Sequence, residues 1–272
     1  MKLILKKIPL YESFDFDSEE DKNFNFDDVI ESRRYKKFIE DNYDINGSQV
    51  RPYKKDGILF IDIDGDVKVK NKKLTSLTNG LFCFGKVAGG FSCPCCNSLT
   101  SLEGAPKEVG GYFFCSFCES LTSLKGAPSK VRGNFYCDHC NSLISLDGAP
   151  EEVGANFECI DCKSLISLDG APSKVGGGFR CSCCNSLTSL EGAPKEVGEY
   201  FDCSNCKSLT SLEGVPSKVG GDFYCSNCES LTSLKGAPKE VGGAFYRRNC
   251  TSLKSTILPK TTKIFRKFGK NN

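Results

Sequence analysis

Phenylalanine returns every 22 residues along the second half of this chain, at Phe91, Phe113, Phe135, Phe157, Phe179, Phe201, Phe223 and Phe245. In the first seven of these units cysteines follow two and five residues later, as in Cys115 and Cys118 or Cys225 and Cys228. Ser-Leu, a second leucine, Gly-Ala-Pro (once Gly-Val-Pro) and a valine complete the unit, as in Leu121, Leu124, Pro128 and Val131. A gapless repeat of this length, from about Phe91 to Leu253, demands a solenoid whose turns stack only on their neighbours.

Each unit has an inside and an outside. Phe and the first Cys stand two residues apart, so on a strand both point to one face. The residue between them varies freely (Ser92, Phe114, Tyr136, Glu158, Arg180, Asp202, Tyr224, Tyr246), as an outward position should. The Gly-Ala-Pro step and the glycine after valine turn the chain back. The expectation is one short strand plus a return arm per unit, with successive strands parallel and ~4.8 Å apart. One unit cannot bury its own apolar face, so stability comes from stacking.

The flanks differ. Residues 12–31 carry nine acids against one base, Lys22, and the stretch is studded with Phe14, Phe16, Phe24 and Phe26. Residues 27–43 read as a helix with Asp27 as N-cap and an apolar stripe of Phe26, Val29, Ile30, Phe38 and Ile39. Gly47 to Gly57 reads as a polar connector. Phe60 to Val69 then alternates apolar and charged residues about Asp64-Gly65, a hairpin signal. Its aspartates do not fit a calcium loop: counted from Asp62, Gly65 falls fourth and Lys73 twelfth, where such a loop needs glycine sixth and an acid twelfth. Leu74 and Leu77 begin the repeat imperfectly. At the far end Arg247 replaces the first cysteine and Thr256 the second leucine, and residues 247–272 hold eight bases and no acid. The expected architecture is a β-rich solenoid with parallel strands and little helix, closed by a small N-terminal helix and hairpin cap. Its segments are an acidic leader with one helix (1–57), a hairpin and capping rung (58–90), the solenoid (91–256) and a basic cap or tail (257–272).

The core pattern Phe-x-Cys-x-x-Cys-x-x-Leu resembles the cysteine-containing leucine-rich repeat. The phrase Cys-x-Ser-Leu-Thr-Ser-Leu…Pro-x-x-Val…Phe looks like the short BspA-like subclass. Closer still, it is similar to leucine-rich repeat proteins encoded by large tailed bacteriophages, in the stretch Asp62–Val69, in Phe84-Gly85-Lys86-Val87 and in units such as Gly104-Ala105-Pro106-Lys107-Glu108-Val109-Gly110-Gly111. The likeness covers about residues 58–256. It implies a leucine-rich repeat solenoid and, for function, protein recognition. The departure is the second cysteine, where those relatives usually carry an asparagine that hydrogen-bonds the turn. A turn without it needs another partner, for which the serine before each leucine, such as Ser120 or Ser142, is the candidate.

No apolar run approaches the ~18 residues of a membrane span, and Met1–Lys7 is too short for a signal peptide. The expectation is a reducing cytoplasm, that of the host if the chain is viral, with no membrane partner. Three states of the 18 cysteines stay open on sequence alone. They can be buried thiol ladders, since free Cys behaves as a small hydrophobe. They can bind metal, since the paired Cys-x-x-Cys spacing matches zinc sites. Or they can form disulfides between adjacent rungs. The first is favoured, with no cofactor and no metal ligand assigned. Cys95 and Cys183 fall at outward positions and are the candidates for a reactive or metal-binding thiol. His139, the lone histidine, occupies a variable position within Cys137-Asp138-His139-Cys140; a Cys-His nucleophile is conceivable there, but every other rung lacks the histidine, and no catalytic residue is assigned.

The strand-bearing face of a solenoid is its usual binding surface. Its variable columns give an aromatic patch (Tyr112, Phe114, Phe117, Tyr136, with His139 beside it), a charged centre (Glu158, Asp161, Arg180, Asp202), then Tyr224 and Tyr246. Exposed aromatics beside charges are the composition of protein hot spots. These eleven residues are the expected contact set for an unidentified protein, a host protein if the chain is viral, against the plain alternative of drift on a solvated sheet. The rival readings are a zinc-stapled module, a nucleic-acid binder using the Arg247–Lys270 tail, and a structural virion component.

Overall fold

The computed structural model describes residues 26–47, 49–255 and 257–265. The leader phenylalanines Phe14, Phe16 and Phe24, together with Thr256 and the last tail bases Arg266, Lys267 and Lys270, lie outside them.

The chain is a β-solenoid in which each turn contributes to two sheets. Among the described residues the phenylalanine sheet has ten strands and the valine sheet eleven. Helix α1 (Phe26–Asn42) opens the described chain, followed by β1 (Tyr43–Asn46), β2 (Val50–Lys55), β3 (Ile58–Ile63) and β4 (Asp66–Val69). After β5 (Cys83–Val87), two-residue strands alternate between the sheets from β6 (Phe91–Ser92) onward. They end with β20 (Phe245–Tyr246) in the phenylalanine sheet and β21 (Lys263–Ile264) in the valine sheet. The return arm is thus more than a connector: its Lys-Val or Glu-Val step pairs in register with the same step of the next turn.

The hairpin lies elsewhere than the Asp64-Gly65 signal suggests. β3 and β4 do not pair; β3 joins β2 and β4 joins β1, both antiparallel. The reversal is at Asp56-Gly57, both with positive φ (52° and 74°), inside what reads in sequence as a connector. Asp64-Gly65 is the corner where the chain crosses from one sheet to the other. Ile63 stands opposite Val87 and Val67 opposite Phe91, so the first rung begins at these residues, ahead of Leu74. Asp62, Asp64 and Asp66 each accept a backbone N–H, from Lys86, Gln49 and Gly90 at 2.7, 2.9 and 2.6 Å.

Asp27 lies inside α1 instead of capping it. Its described core-facing residues are Tyr35 and Ile39, buried, with Phe38 packed beside them; Phe82 meets Tyr35 and Phe38 at 6.4 and 6.2 Å between ring centroids. This apolar lid covers the first rung.

Inside, the phenylalanines stack in one file from Phe91 to Phe245, with centroids 4.8–5.6 Å apart. Two leucine files and the valine file complete the core, all buried. The glycine of each Gly-Ala-Pro step is forced: at Gly148, φ is 90° and a Cβ would stand 2.5 Å from the Lys125 backbone one rung below.

Candidate functional site

The outward side of the phenylalanine sheet is built column by column, because register places equivalent residues of successive turns side by side. Phe114 stands opposite Tyr136 and their rings meet edge to face at 5.7 Å. Glu158, Arg180 and Asp202 are consecutive in the same column. The Arg180 guanidinium lies 3.6 Å from Glu158 Oε2 and 3.4 Å from Asp202 Oδ2. Its Nε is within ion-pair range of Asp202 without the alignment of a hydrogen bond. Tyr224 and Tyr246 stack at 4.6 Å, their planes nearly parallel at 2°. All seven side chains are half-buried, each shielded by its neighbours up and down the column.

A second column lies at the turn between the two cysteines. Cys95, Phe117, His139, Asp161, Cys183, Asn205, Asn227 and Asn249 all adopt positive φ, between 52° and 63°. The Phe117 and His139 rings stack at 4.5 Å, and His139 Nδ1 lies 3.1 Å from Asp161 Oδ2. Phe117 is exposed, as is Tyr112, whose ring covers Gly90 of the preceding turn closely enough that a Cβ there would meet it at 2.4 Å. All eleven residues singled out in sequence thus lie on this face, ten of them joined as pairs and triples along the columns and Tyr112 lying over Gly90.

Sequence reasoning passed over others. Tyr200 donates to Glu158 Oε1 at 3.2 Å and carries the Arg180 guanidinium over its ring at 5.0 Å. It stands 88 residues after Tyr112, the displacement at which Cys93–Cys118 repeats almost unchanged as Cys181–Cys206, a signal that was readable. Asp222 accepts from Tyr224 OH at 2.8 Å and from Ala244 N–H at 2.7 Å. Asp138 accepts from Ile160 N–H at 2.8 Å. Burial raises the Asp138 carboxyl above its ordinary range, with Glu158 adding to it. Burial first, then neighbouring carboxylates, pushes up the phenols of Tyr136, Tyr200 and Tyr224, the last two to about 12.

Beneath this face run the cysteines. All 18 are free thiols; fourteen are buried, while Cys95 is exposed and Cys83, Cys183 and Cys250 are half-buried. The second cysteine of a unit donates to the carbonyl of the first cysteine one turn earlier: Cys118 to Cys93, Cys162 to Cys137, Cys206 to Cys181, each at 3.2 Å. The first cysteine donates forward, as Cys137 does to the Glu158 carbonyl at 3.4 Å. The thiol itself therefore takes the turn-bonding task for which Ser120 and Ser142 were candidates. Burial and adjacent thiols hold most of these groups well above the ordinary range, as at Cys115 and Cys137. Cys183 is also raised, by burial first. Cys250 goes the other way, down to about 7, chiefly because the Cys225 thiol donates to it, with backbone N–H groups of Cys228 and Asn227 and the charge of Arg247 assisting. Among the described residues no three His, Cys, Asp or Glu side chains converge as a metal-holding group, and no helix is long and apolar enough to cross a membrane.

No protein-family model matches the chain, no curated protein matches it, and no solved structure matches it. Function must be argued from the face itself.

Proposed function

We propose that this chain is a non-enzymatic scaffold that recognises a protein partner through the outward face of the phenylalanine sheet. The observation that carries it is Phe117. The left-handed backbone region favours Gly, Asn and Asp, and the last three units place Asn there. Phe117 instead holds a bulky apolar ring in that conformation, 45% exposed, stacked on His139. Strain at an exposed aromatic, set among Tyr112, Phe114 and Tyr136, fits a contact surface better than drift.

The chemistry nearby supports binding over catalysis. His139 is engaged by Phe117 and Asp161, and the outward thiols of its column, Cys95 and Cys183, stand two turns away on either side, ~10 Å at the spacing of adjacent strands. That is beyond the reach of a nucleophile–base pair. On the sequence likeness alone, we place the chain with the short BspA-like leucine-rich repeats, nearest those of large tailed bacteriophages, and expect it to act on a host protein in the cytoplasm.

The test is Phe114→Ala with Tyr136→Ala in the full chain, against the partner recovered by affinity capture. Capture falls about tenfold or more, the range of a lost hot spot, while the thermal melt stays close to that of the parent. Unchanged capture rejects this face as the binding surface.

A further inference from the structure

The outward face has a charge composition unlike the rest of the molecule. The chain carries 36 Lys and Arg against 34 Asp and Glu. Yet at the outward positions just before each Phe, between Phe and the first Cys, and between the two Cys, from Tyr112 to Asn227, the acids are Asp138, Glu158, Asp161, Asp202 and Asp222, and there is no lysine; Lys68 and Arg248 stand in these columns beyond either end. The cations there are Arg180 and, when protonated, His139. Arg180 is already neutralised by Glu158 and Asp202, so the face keeps an excess of carboxylates beside exposed aromatic rings.

Arg180 also shows what this face accommodates. Its guanidinium is held by two carboxylates at 3.4 and 3.6 Å and by the Tyr200 ring at 5.0 Å, an acid-and-aromatic seat for a cation. The same ingredients recur on both sides. Tyr136 stands between Phe114 and Glu158 in its column, with Asp138 two residues on, and Tyr224 bonds Asp222 while stacking on Tyr246. The phenols of Tyr136 and Tyr224 are raised by burial first and then by the carboxylates beside them.

We infer that the partner engages this face through a basic segment, its arginine or lysine side chains seated between the carboxylates and the aromatic rings. This rests on the strand-face reading above and adds the chemistry of the partner. The same excess of carboxylates repels phosphates, so nucleic acid is the wrong class of ligand for this surface.

The experiment is selection from a random dodecapeptide library on the immobilised full chain, with each enriched peptide then measured against variants by fluorescence anisotropy. The expected peptides are rich in Arg and Lys and bind more weakly as salt rises. They lose about tenfold or more in affinity with Phe114→Ala/Tyr136→Ala and with Glu158→Gln/Asp161→Asn/Asp222→Asn. The amide variants keep hydrogen-bond acceptors in place, and a thermal melt confirms that they fold; Asp161→Asn alone gives a smaller loss in the same direction. Peptides that are neutral or acidic, yet lose binding with the Phe114→Ala/Tyr136→Ala variant, overturn the basic partner and leave the strand-face reading standing. A library that yields no peptide sensitive to that variant overturns the reading itself. Saturable binding of a labelled single-stranded DNA oligonucleotide to the full chain that is lost with Phe114→Ala/Tyr136→Ala also overturns the inference.

Discussion

A side chain's position in the unit decides its chemistry more than its identity does. Cysteine occupies three kinds of place in this chain: inside the ladders, at the left-handed turn, and at the last rung. Inside, burial and neighbouring thiols disfavour the thiolate, the reactive form, at positions such as Cys115 and Cys137, while Cys184, to which the Cys159 and Cys162 thiols donate, is lowered but enclosed. At the turn, Cys183 is likewise raised by burial, so the outward position singled out in sequence does not make it the reactive thiol. Cys250 is different because it is both lowered and, at the last rung, accessible. Arg247 replaces the first cysteine of its unit and Cys225 donates to its sulfur, and the thiol is half-buried instead of enclosed. Its folded pKa of about 7 lies below the ordinary thiol value, so thiolate accumulates as pH rises through neutrality. The expected outcome is that iodoacetamide labels Cys250 in the native protein with a rate midpoint near pH 7. Cys183 follows at higher pH, and the buried fourteen react only on unfolding. Cys250→Ser removes the early phase; if that phase survives, the assignment to Cys250 is wrong. Sequence gave a hint of this in Arg247, but the donor from the preceding turn appears only when the turns are stacked.

At the scale of one turn, the repeat was legible because period, face and turn chemistry all agree. Phe and Cys two apart, leucines three apart and a glycine that must take positive φ leave one way to coil. What was not legible was the second sheet. A Lys-Val or Glu-Val step is too short to show alternation, and it becomes a strand only through its copies above and below. The first rung was misread for a related reason: Ile63, Val67 and Val69 occupy the valine, phenylalanine and first-cysteine places without matching them in residue type. Asp64-Gly65, a hairpin signal in isolation, is overruled by pairing with the next turn. The thiol ladders set a ranking of costs within a turn. Phe157→Ala removes a ring stacked on both sides and costs roughly 3–5 kcal/mol. Cys162→Ala removes a small buried group and leaves the Cys137 carbonyl without its thiol donor, costing roughly 1–2 kcal/mol. Denaturant melts of the two variants check the order; equal losses would mean that the thiol bond matters more than its chemistry suggests.

Across the whole molecule the valine sheet carries a pattern that no single unit contains. The residue before each valine reads Lys86, Glu108, Lys130, Glu152, Lys174, Glu196, Lys218, Glu240, and Lys263 continues it on β21. Register sets these side by side, and Lys174–Glu196 and Lys218–Glu240 meet at 3.7 and 3.5 Å. Alternation explains why the sequence has a two-unit period beneath its 22-residue one: growth by an odd number of units would place like charges on adjacent strands, which is destabilising. The pairs are exposed, so each contributes only ~0.5 kcal/mol and less at high salt. Turn-to-turn burial outweighs that, so charge alone cannot decide whether a shortened array folds; its signature is how one substitution depends on parity. Deleting residues 179–200 sets Lys174 between Glu152 and Lys218, while deleting 179–222 sets it between Glu152 and Glu240, as in the parent pattern. Lys174→Thr is therefore expected to destabilise the full chain and the two-unit deletion by about 1 kcal/mol, two favourable neighbours being lost. In the one-unit deletion it has almost no effect, one favourable and one unfavourable neighbour cancelling. Urea melts at low salt read the difference, and high salt should shrink it. The same loss in all three backgrounds would mean that the alternation records only the history of duplication and does not hold the turns in register.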